Sequence, residues 1–334
     1  MTPNDEFYRG RKVLVTGAGG FIGSHLSEAL ARAGAAVTAM IKYSASAHWG
    51  NLEFAATEVK RSIEVVAGNV EDSDYVMNVM RGKDIVFHLA ALIAIPYSYI
   101  APRSYVRTNV EGTLNIVEGA RRLGVGRVVH TSTSEVYGTA LREPIDEDHP
   151  LQGQSPYSAS KIGADKIAES YHRSFSTPVV TLRPFNTFGP RQSARAFIPT
   201  IISQALSRDW VELGALDPQR DMTFVGDTVA GFMAAGATAG IEGETINLGT
   251  GETHTIGQFA DRILSLMGSD KRIRQDPKRV RPSDSEVLKL ISDNRKAQRL
   301  LGWTPRTSID DGLRQTIDFV AANLGLFRTD VYNV

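Results

Sequence analysis

The sequence of 334 residues contains no cysteine. Disulfide bonds, zinc sites built on thiolates and cysteine nucleophiles are therefore excluded. The sequence also lacks an excess of either charge, because 37 Lys and Arg residues balance 37 Asp and Glu residues. A nucleic-acid-binding protein normally carries a basic excess, so we expect no nucleic-acid partner.

Long hydrophobic runs are missing as well. The longest apolar stretch, residues 85–96, is interrupted by His88 and is too short to cross a bilayer. Residues 1–12 are polar and contain no signal-peptide core, so we expect a cytoplasmic protein without a membrane partner. The histidines show no metal-ligand spacing, and we predict no metal site.

Short runs rich in valine and isoleucine alternate with helix-like stretches in the first half of the chain. The runs are residues 13–16, 36–40, 63–66, 85–89, 128–131 and 179–182, and the helix-like stretches are 21–33, 72–80, 105–123 and 157–175. Nearly continuous apolar character is typical of strands buried on both faces of a parallel sheet. The pattern predicts an α/β fold with a doubly wound parallel sheet of the Rossmann type.

The alternation weakens after about residue 190, where prolines break the chain into short elements. We therefore predict two domains. Residues 1–185, completed by segments near 221–250, form the sheet domain. Residues 186–334 form most of a smaller, discontinuous C-terminal lobe.

A glycine-rich loop joins the first predicted strand to the first predicted helix. Gly17, Gly20 and Gly23 follow one another at intervals of three residues. Glycine permits a tight turn and a close approach of the backbone to a pyrophosphate. The helix N-terminus at Phe21 and Ile22 presents free N–H groups to such an anion. The loop therefore predicts a dinucleotide-binding site.

The end of the second predicted strand departs from the usual dinucleotide pattern. An acidic residue normally binds the ribose there, but the first carboxylate after the strand is Glu53. Lys42 could instead pair with a 2′-phosphate, which favours NADP slightly over NAD. Asn69 and Val70, after the third strand, are placed to meet the adenine.

Tyr157 and Lys161 are the candidate catalytic pair. Their spacing of four residues places both side chains on one face of a helix. A nearby ammonium favours the phenolate and lowers a phenol pKa that is normally about 10.

Together these motifs resemble the extended short-chain dehydrogenase/reductase family. Beyond the glycine loop and the Tyr–Lys pair, the resemblance is carried by residues 88–91, 109–113, 131–138, 183–190 and 301–305. It implies a tightly bound, recycled NAD(P) and a nucleoside-diphosphate sugar held across the cleft by the C-terminal lobe. It also implies a homodimer, formed through the helices near 105–123 and 157–175.

The resemblance assigns residues to both ligands. At the cofactor it places Gly17, Gly20, Phe21, Ile22, Gly23, Lys42, Asn69, Val70, Leu89, Ala90, Ala91, Tyr157, Lys161 and Pro184. At the diphosphate and nucleotide of the substrate it places Asn186, Arg191, Arg220 and Arg281.

The segment Thr133-Ser134-Glu135 bears on the reaction. A glutamate at this position is similar to that of the sugar 4,6-dehydratases, and Ser134 matches the GDP-mannose type, whereas the dTDP-glucose type has Asp there. Residues 88–98, 150–157, 190–195 and 331–334 resemble the GDP-N-acetylglucosamine 4,6-dehydratases of legionaminic acid synthesis. We therefore expect a lyase that makes a 4-keto-6-deoxy sugar.

In the implied mechanism Tyr157 removes the O4 proton, Lys161 holds the phenolate, and Thr133 hydrogen-bonds O4. Glu135 is the base at C5, and Ser134 belongs to the same catalytic segment. Three alternatives remain open: a nucleoside-diphosphate uronate decarboxylase, a C4 epimerase, and a non-catalytic NAD(P) sensor.

Overall fold

The computed structural model describes residues 3–279 and 286–327. Its strands, in chain order, are β1 (Lys12–Thr16), β2 (Ala36–Lys42), β3 (Glu64–Gly68), β4 (Ile85–His88), β5 (Arg127–Thr131), β6 (Val179–Pro184), β7 (Asn186–Phe188), β8 (Trp210–Leu213), β9 (Gln219–Arg220), β10 (Met222–Phe224), β11 (Thr245–Leu248), β12 (His254–Thr255) and β13 (Arg272–Gln275).

The helices are α1 (Pro3–Tyr8), α2 (Phe21–Arg32), α3 (Thr57–Ser62), α4 (Ser73–Met80), α5 (Ile95–Ile100), α6 (Pro102–Tyr105), α7 (Gly112–Leu123), α8 (Pro156–Phe175), α9 (Phe197–Ser207), α10 (Val225–Ala237), α11 (Ile256–Leu266), α12 (Arg295–Leu301) and α13 (Ile309–Ala322). Among the described residues, no helix is both long enough and apolar enough to cross a membrane.

A parallel seven-stranded sheet forms the centre of the molecule, with the order β11-β6-β5-β4-β1-β2-β3. Its strands are apolar along nearly their whole length because helices cover both faces; β4, for example, is buried at all four residues. The strand order reverses between β1 and β4, which is where ligands bind in doubly wound sheets. The predicted α/β fold class is confirmed.

The C-terminal lobe has its own hydrophobic core, separate from the two cores that flank the sheet. This core packs α9, α11 and α13 around buried side chains such as Phe188, Ile202 and Phe259. Three two-stranded sheets, β7–β10, β8–β13 and β9–β12, belong to the same half of the chain. The last strand of the large sheet, β11, also comes from this half, within the segment predicted to complete the sheet domain.

One predicted helix differs from the structure. Residues 105–123 were predicted as a single helix, but α6 is followed by a π-helical segment, Val106–Glu111, before α7 begins. The side chain of Asn109 in this segment is buried and bonds to the loop after β4. A hydrophobic period of 3.6 residues does not distinguish such a π turn from a continuous α-helix.

Candidate active site

A cleft of about 820 Å³ opens at the carboxyl ends of the strands, where the sheet meets the C-terminal lobe. The loops after β1, β3, β4 and β5 line one part of its wall, and segments around β7, β8 and β9 line another. The cleft therefore lies at the switch point of the sheet, where a cofactor and a second ligand can meet.

The glycine loop forms one end of the cleft with no room for side chains. A Cβ atom on Gly17 would lie 2.7 Å from the Ala90 nitrogen, and one on Gly23 would lie 2.2 Å from the Gly17 oxygen. Gly20 is the N-cap of α2 and offers no side-chain cap, so the first N–H groups of the helix, at Phe21 and Ile22, remain available to an anion. This geometry fits the pyrophosphate of a dinucleotide.

The remaining residues predicted at the cofactor also line the cleft. They are Lys42, Asn69, Val70, Leu89, Ala90, Ala91 and Pro184. Lys42 is exposed at the end of β2, and Glu53 does not replace the missing ribose carboxylate, because its Oε1 accepts a hydrogen bond from the Trp49 nitrogen at 3.2 Å. Neighbouring His48, which the sequence reasoning did not single out, lines the same part of the cleft.

Tyr157 and Lys161 lie in the first turns of α8, as their spacing predicts. The helix begins with a capping box between Ser155 and Ser158, followed by Pro156 at the first helical position. The Lys161 ammonium donates a hydrogen bond of 2.7 Å to the Thr131 carbonyl oxygen at the end of β5. The Tyr157 hydroxyl is hydrogen-bonded to the Thr133 side chain.

Burial dominates the electrostatics of this pair. Burial raises the pKa of the Tyr157 phenol well above its usual range; the hydrogen bond from Thr133 opposes this, and the charge of Glu135 adds to it. Burial also lowers the pKa of Lys161 to about 8, against the favourable charge of Asp165. The effect of Lys161 on the phenol pKa stays a prediction, because burial dominates the pKa of Tyr157 in this site.

The loop after β5 carries the other predicted catalytic residues. Thr133 and Glu135 line the cleft, and the Thr133 hydroxyl accepts a hydrogen bond from the Glu135 nitrogen at 3.2 Å. Ser134 does not share this orientation: it is buried in the short 3₁₀ turn Ser134–Tyr137 and does not line the cleft. The structure therefore gives no support to a direct catalytic role for Ser134.

Asn109 is a residue for which the sequence reasoning assigned no role. Its amide group donates to the Leu92 carbonyl oxygen at 3.0 Å and to the Ser160 hydroxyl at 2.9 Å, and it accepts from the Leu92 nitrogen at 2.9 Å. It thereby fixes the loop after β4 against α8, next to the Tyr–Lys pair. The sequence shows only an asparagine inside the predicted helix 105–123, which does not identify these partners.

Two of the predicted substrate residues face the cleft. Asn186 lines it, and its buried Oδ1 atom has no hydrogen-bond partner, which fits an acceptor that a ligand donor completes. Arg220 also lines the cleft, and its guanidinium is held by Glu286 at 2.7 Å.

Arg191, the third predicted substrate residue, does not line the cleft. Arg191 has φ of 69° and turns away from the cleft to form an ion pair with Glu28 at 2.9 Å, with a further bond to the Phe54 carbonyl oxygen. Arg281 lies outside the described residues. The cleft instead contains Gln192, Arg195 and Arg279, which the sequence reasoning did not single out. No group of three or more potential metal ligands occurs among the residues that the structure describes.

Comparisons with known proteins place this architecture in a family. The family model described as GDP-mannose 4,6 dehydratase matches residues 14–316. UDP-glucose 4-epimerase from Mycolicibacterium smegmatis is 33% identical over 92% of this chain and 98% of the relative. dTDP-glucose 4,6-dehydratase from Streptomyces niveus is 32% identical over 93% of both chains.

A solved structure shows the same fold with a bound dinucleotide. DesIV, a dTDP-glucose 4,6-dehydratase from Streptomyces venezuelae with NAD bound, superposes with a TM-score of 0.87 at 30% identity, covering 95% of this chain and 99% of that chain. The NADP preference that Lys42 predicts receives no support from this relative. The chain belongs to the extended short-chain dehydrogenase/reductase family of nucleotide-sugar dehydratases and epimerases.

Proposed function

We propose that this protein is a nucleoside-diphosphate-sugar 4,6-dehydratase that acts on an N-acetylglucosamine nucleotide, with GDP as the favoured nucleotide, and makes a 4-keto-6-deoxy sugar. The carrying observation is that Glu135 shares the cleft with Tyr157 and Thr133, close enough for its charge to raise the phenol pKa. A C4 epimerase needs the Tyr–Lys pair but no carboxylate for C5. The choice of hexose is supported by the resemblance of residues 88–98, 150–157 and 190–195 to the legionaminic acid enzymes.

The residues of the cleft divide the reaction between two segments. On α8, Tyr157 accepts the O4 proton, and the Lys161 ammonium stabilises the phenolate that this requires. On the loop after β5, Thr133 orients O4 and Glu135 removes the C5 proton, which the 4-ketone has made acidic. Because Ser134 is turned away, Glu135 passes that proton to the leaving C6 hydroxyl as water departs. C5 is then reprotonated from solvent through Glu135, and Tyr157 releases the O4 proton to solvent, so that the net loss is one water.

The glycine loop, Asn69 and the segment Leu89–Ala91 would hold the dinucleotide. When bound, NAD(P) supplies hydride acceptance at C4 and hydride return at C6, so that the net reaction is redox-neutral. Asn186 and Arg220 are the residues we assign to the sugar nucleotide, because both face the cleft.

We propose NAD as the resident cofactor, because the similar DesIV structure contains bound NAD. Lys42 provides the contrary expectation, since it is exposed beside the site where a 2′-phosphate would lie. Chromatography of the nucleotide released on denaturation distinguishes the two. Release of NADP, together with a loss of NADP affinity in Lys42→Ala, would reverse the assignment.

We also propose a homodimer formed through α7 and α8. Val106, just before α7, and Leu114, on α7, leave 49% and 36% of their surfaces exposed, which fits an apolar contact with a second copy on this face. Light scattering should give twice the chain mass, and Leu114→Glu should give a monomer. A wild-type monomer at micromolar concentration rejects the proposal. The cytoplasmic location stays a prediction.

The reaction is tested by incubating the purified protein with GDP-, UDP-, dTDP- and CDP-linked sugars and examining the products by mass spectrometry and NMR. Loss of one water marks dehydration, loss of carbon dioxide marks decarboxylation, and an unchanged mass with a new NMR spectrum marks C4 epimerisation. Glu135→Gln should lower dehydration by about 10²- to 10⁴-fold, the usual contribution of a general base. Glu58→Gln, on the exposed side of α3, is the matched control.

A further inference from the structure

A buried polar cluster adjoins the cleft, which its member Ser132 lines, and is centred on Asp165, a residue that the mechanism above does not use. The Asp165 carboxylate accepts hydrogen bonds from His130 at 3.0 Å, from Ser132 at 2.8 Å and from two nitrogens of Arg183 at 3.2 and 3.0 Å. All four side chains are buried. We call these four residues the Asp165 cluster.

The Asp165 cluster joins the two catalytic segments. Asp165 lies one helical turn after Lys161 on α8, whereas His130 and Ser132 flank Thr131, whose carbonyl oxygen accepts the Lys161 hydrogen bond. The helix that carries the Tyr–Lys pair is thus fastened at two successive turns to the strand end from which the Thr133 and Glu135 loop departs.

The Asp165 cluster also reaches the far side of that loop. Arg183 on β6 donates a hydrogen bond of 2.9 Å to the Tyr137 hydroxyl, and its guanidinium lies 4.9 Å from the centre of the Tyr137 ring. Tyr137 closes the 3₁₀ turn that contains Glu135 and donates in turn to Asn247 on β11 at 2.7 Å. The position of the Glu135 turn is therefore fixed through Arg183 by the same carboxylate.

We propose that Asp165 is a positioning residue, which sets the distance between the Tyr157–Lys161 helix and the Thr133–Glu135 loop and serves as the buried counter-charge of the Lys161 ammonium. Three elements converge on its two oxygens, so a shift of Asp165 moves both segments relative to each other. A neutral side chain of the same shape would keep part of the geometry and would leave two buried cations without compensation.

The charged and titratable groups around Lys161 determine the sign of the electrostatic effect. From the elements packed against it these groups are Tyr157, Asp165, His88, His130, Arg183 and Glu135. Burial lowers the pKa of both His88 and His130, and the charge of Lys161 lowers both further, whereas the hydrogen bond to Asp165 opposes the shift at His130. The charge of Asp165 acts in favour of the ammonium form of Lys161.

The first test measures Lys161 directly and needs no substrate. Protein labelled at lysine Cε with ¹³C is titrated by NMR, and the Lys161 resonance is assigned from its loss in Lys161→Arg. Asp165→Asn should lower the titration midpoint of Lys161 by about one pH unit, the usual effect of losing an adjacent opposite charge. Asp227→Asn, which removes a buried carboxylate on α10 that accepts from the Thr307 nitrogen, should leave it unchanged.

The second test measures positioning and rests on the proposed dehydratase activity. Asp165→Asn should lower kcat by about 10²-fold, as expected for a displacement of about 1 Å, with KM for the sugar nucleotide changed by less than about threefold. Ser132→Ala removes only the 2.8 Å bond to the loop, so it should lower kcat while the Lys161 midpoint stays at its wild-type value.

The results separate the two proposals. An unchanged Lys161 midpoint in Asp165→Asn overturns the counter-charge role, whatever reaction the enzyme catalyses. A wild-type kcat in both Asp165→Asn and Ser132→Ala overturns the positioning role. If the wild-type protein dehydrates none of the sugar nucleotides, the proposed function fails while the NMR result still decides the counter-charge role. If Asp165→Asn does not fold, Asp165→Glu, which retains the charge, takes its place. A wild-type kcat together with a wild-type Lys161 midpoint then rejects the positioning role. A lowered kcat with a wild-type Lys161 midpoint supports it.

Discussion

At the scale of single residues, burial sets the proton chemistry of the site. Lys161 loses its water contacts against the end of β5, and its pKa falls to about 8. Because burial disfavours the ammonium, the group carries its charge below that pH and loses it as the pH rises. A lysine that stabilises a phenolate is active only while charged.

We therefore predict that kcat/KM falls as the pH rises through about 8, the range in which Lys161 titrates. In Lys161→Arg the guanidinium does not titrate there, so this limb should disappear, at a lower overall rate. A pH profile of initial rates measures both effects. An alkaline limb that persists unchanged in Lys161→Arg would contradict the assignment.

Arg191 and Arg220, two of the three arginines predicted at the substrate, should behave differently. Arg191→Ala breaks a nearly buried ion pair with Glu28 and should lower the free energy of unfolding by about 3 kcal/mol, with KM for the sugar nucleotide unchanged. Arg220→Ala removes a cation from the cleft wall and should raise KM by about tenfold or more. Urea denaturation and steady-state kinetics on both variants measure this contrast, and equal KM effects would contradict it.

At the scale of elements, the position of Tyr157 depends on the first turn of α8, because Tyr157 is the second residue of that helix. The capping box of Ser155 and Ser158 satisfies N–H groups that the first turn leaves free. The Tyr157–Lys161 spacing and the glycine start of α2 were predicted from the sequence, whereas the capping box was not.

We predict that Ser155→Ala destabilises the protein by about 1 kcal/mol, the usual cost of losing an N-cap. It should also lower kcat, because the frayed first turn carries Tyr157. Ser170→Ala, in the last turns of the same helix, is the control and should leave kcat unchanged. Urea denaturation and steady-state rates are measured on both variants. An equal fall of kcat in the two variants would contradict the prediction.

Other local features were not readable from the sequence. The π turn around Asn109 arises from tertiary bonds to Leu92 and Ser160, and the turning away of Arg191 depends on a positive φ and on Glu28, more than 160 residues distant. Periodicity and motif spacing contain no information on such partners. For this reason all the residues predicted at the cofactor line the cleft, whereas only Asn186 and Arg220 of those predicted at the substrate do so among the described residues.

At the scale of the whole molecule, the alternation of strands and helices was enough to predict the sheet. The C-terminal lobe is held together differently, because short segments from distant parts of the chain meet there and are joined by hydrogen bonds to buried side chains. Asp221 is fully buried and accepts hydrogen bonds from the Thr250, Gly251 and Ser292 nitrogens at 2.8, 2.9 and 3.0 Å. It also adjoins Arg220, so the cleft wall depends on it.

Asp221→Ala leaves three backbone donors without their acceptor and should lower the free energy of unfolding by about 3 kcal/mol or more. Asp261→Ala, on the exposed side of α11, should have no measurable effect. Urea denaturation of the two variants compares them directly. Equal stability would show that Asp221 does not connect these segments.

The most direct test of the central claim follows one hydrogen atom. The protein is incubated with GDP-N-acetylglucosamine that carries deuterium at C4, and the product is examined by mass spectrometry and NMR. The account predicts a 4-keto-6-deoxy product that has lost one water and carries the deuterium at C6. A product of unchanged mass with deuterium still at C4 would contradict it and would identify an epimerase.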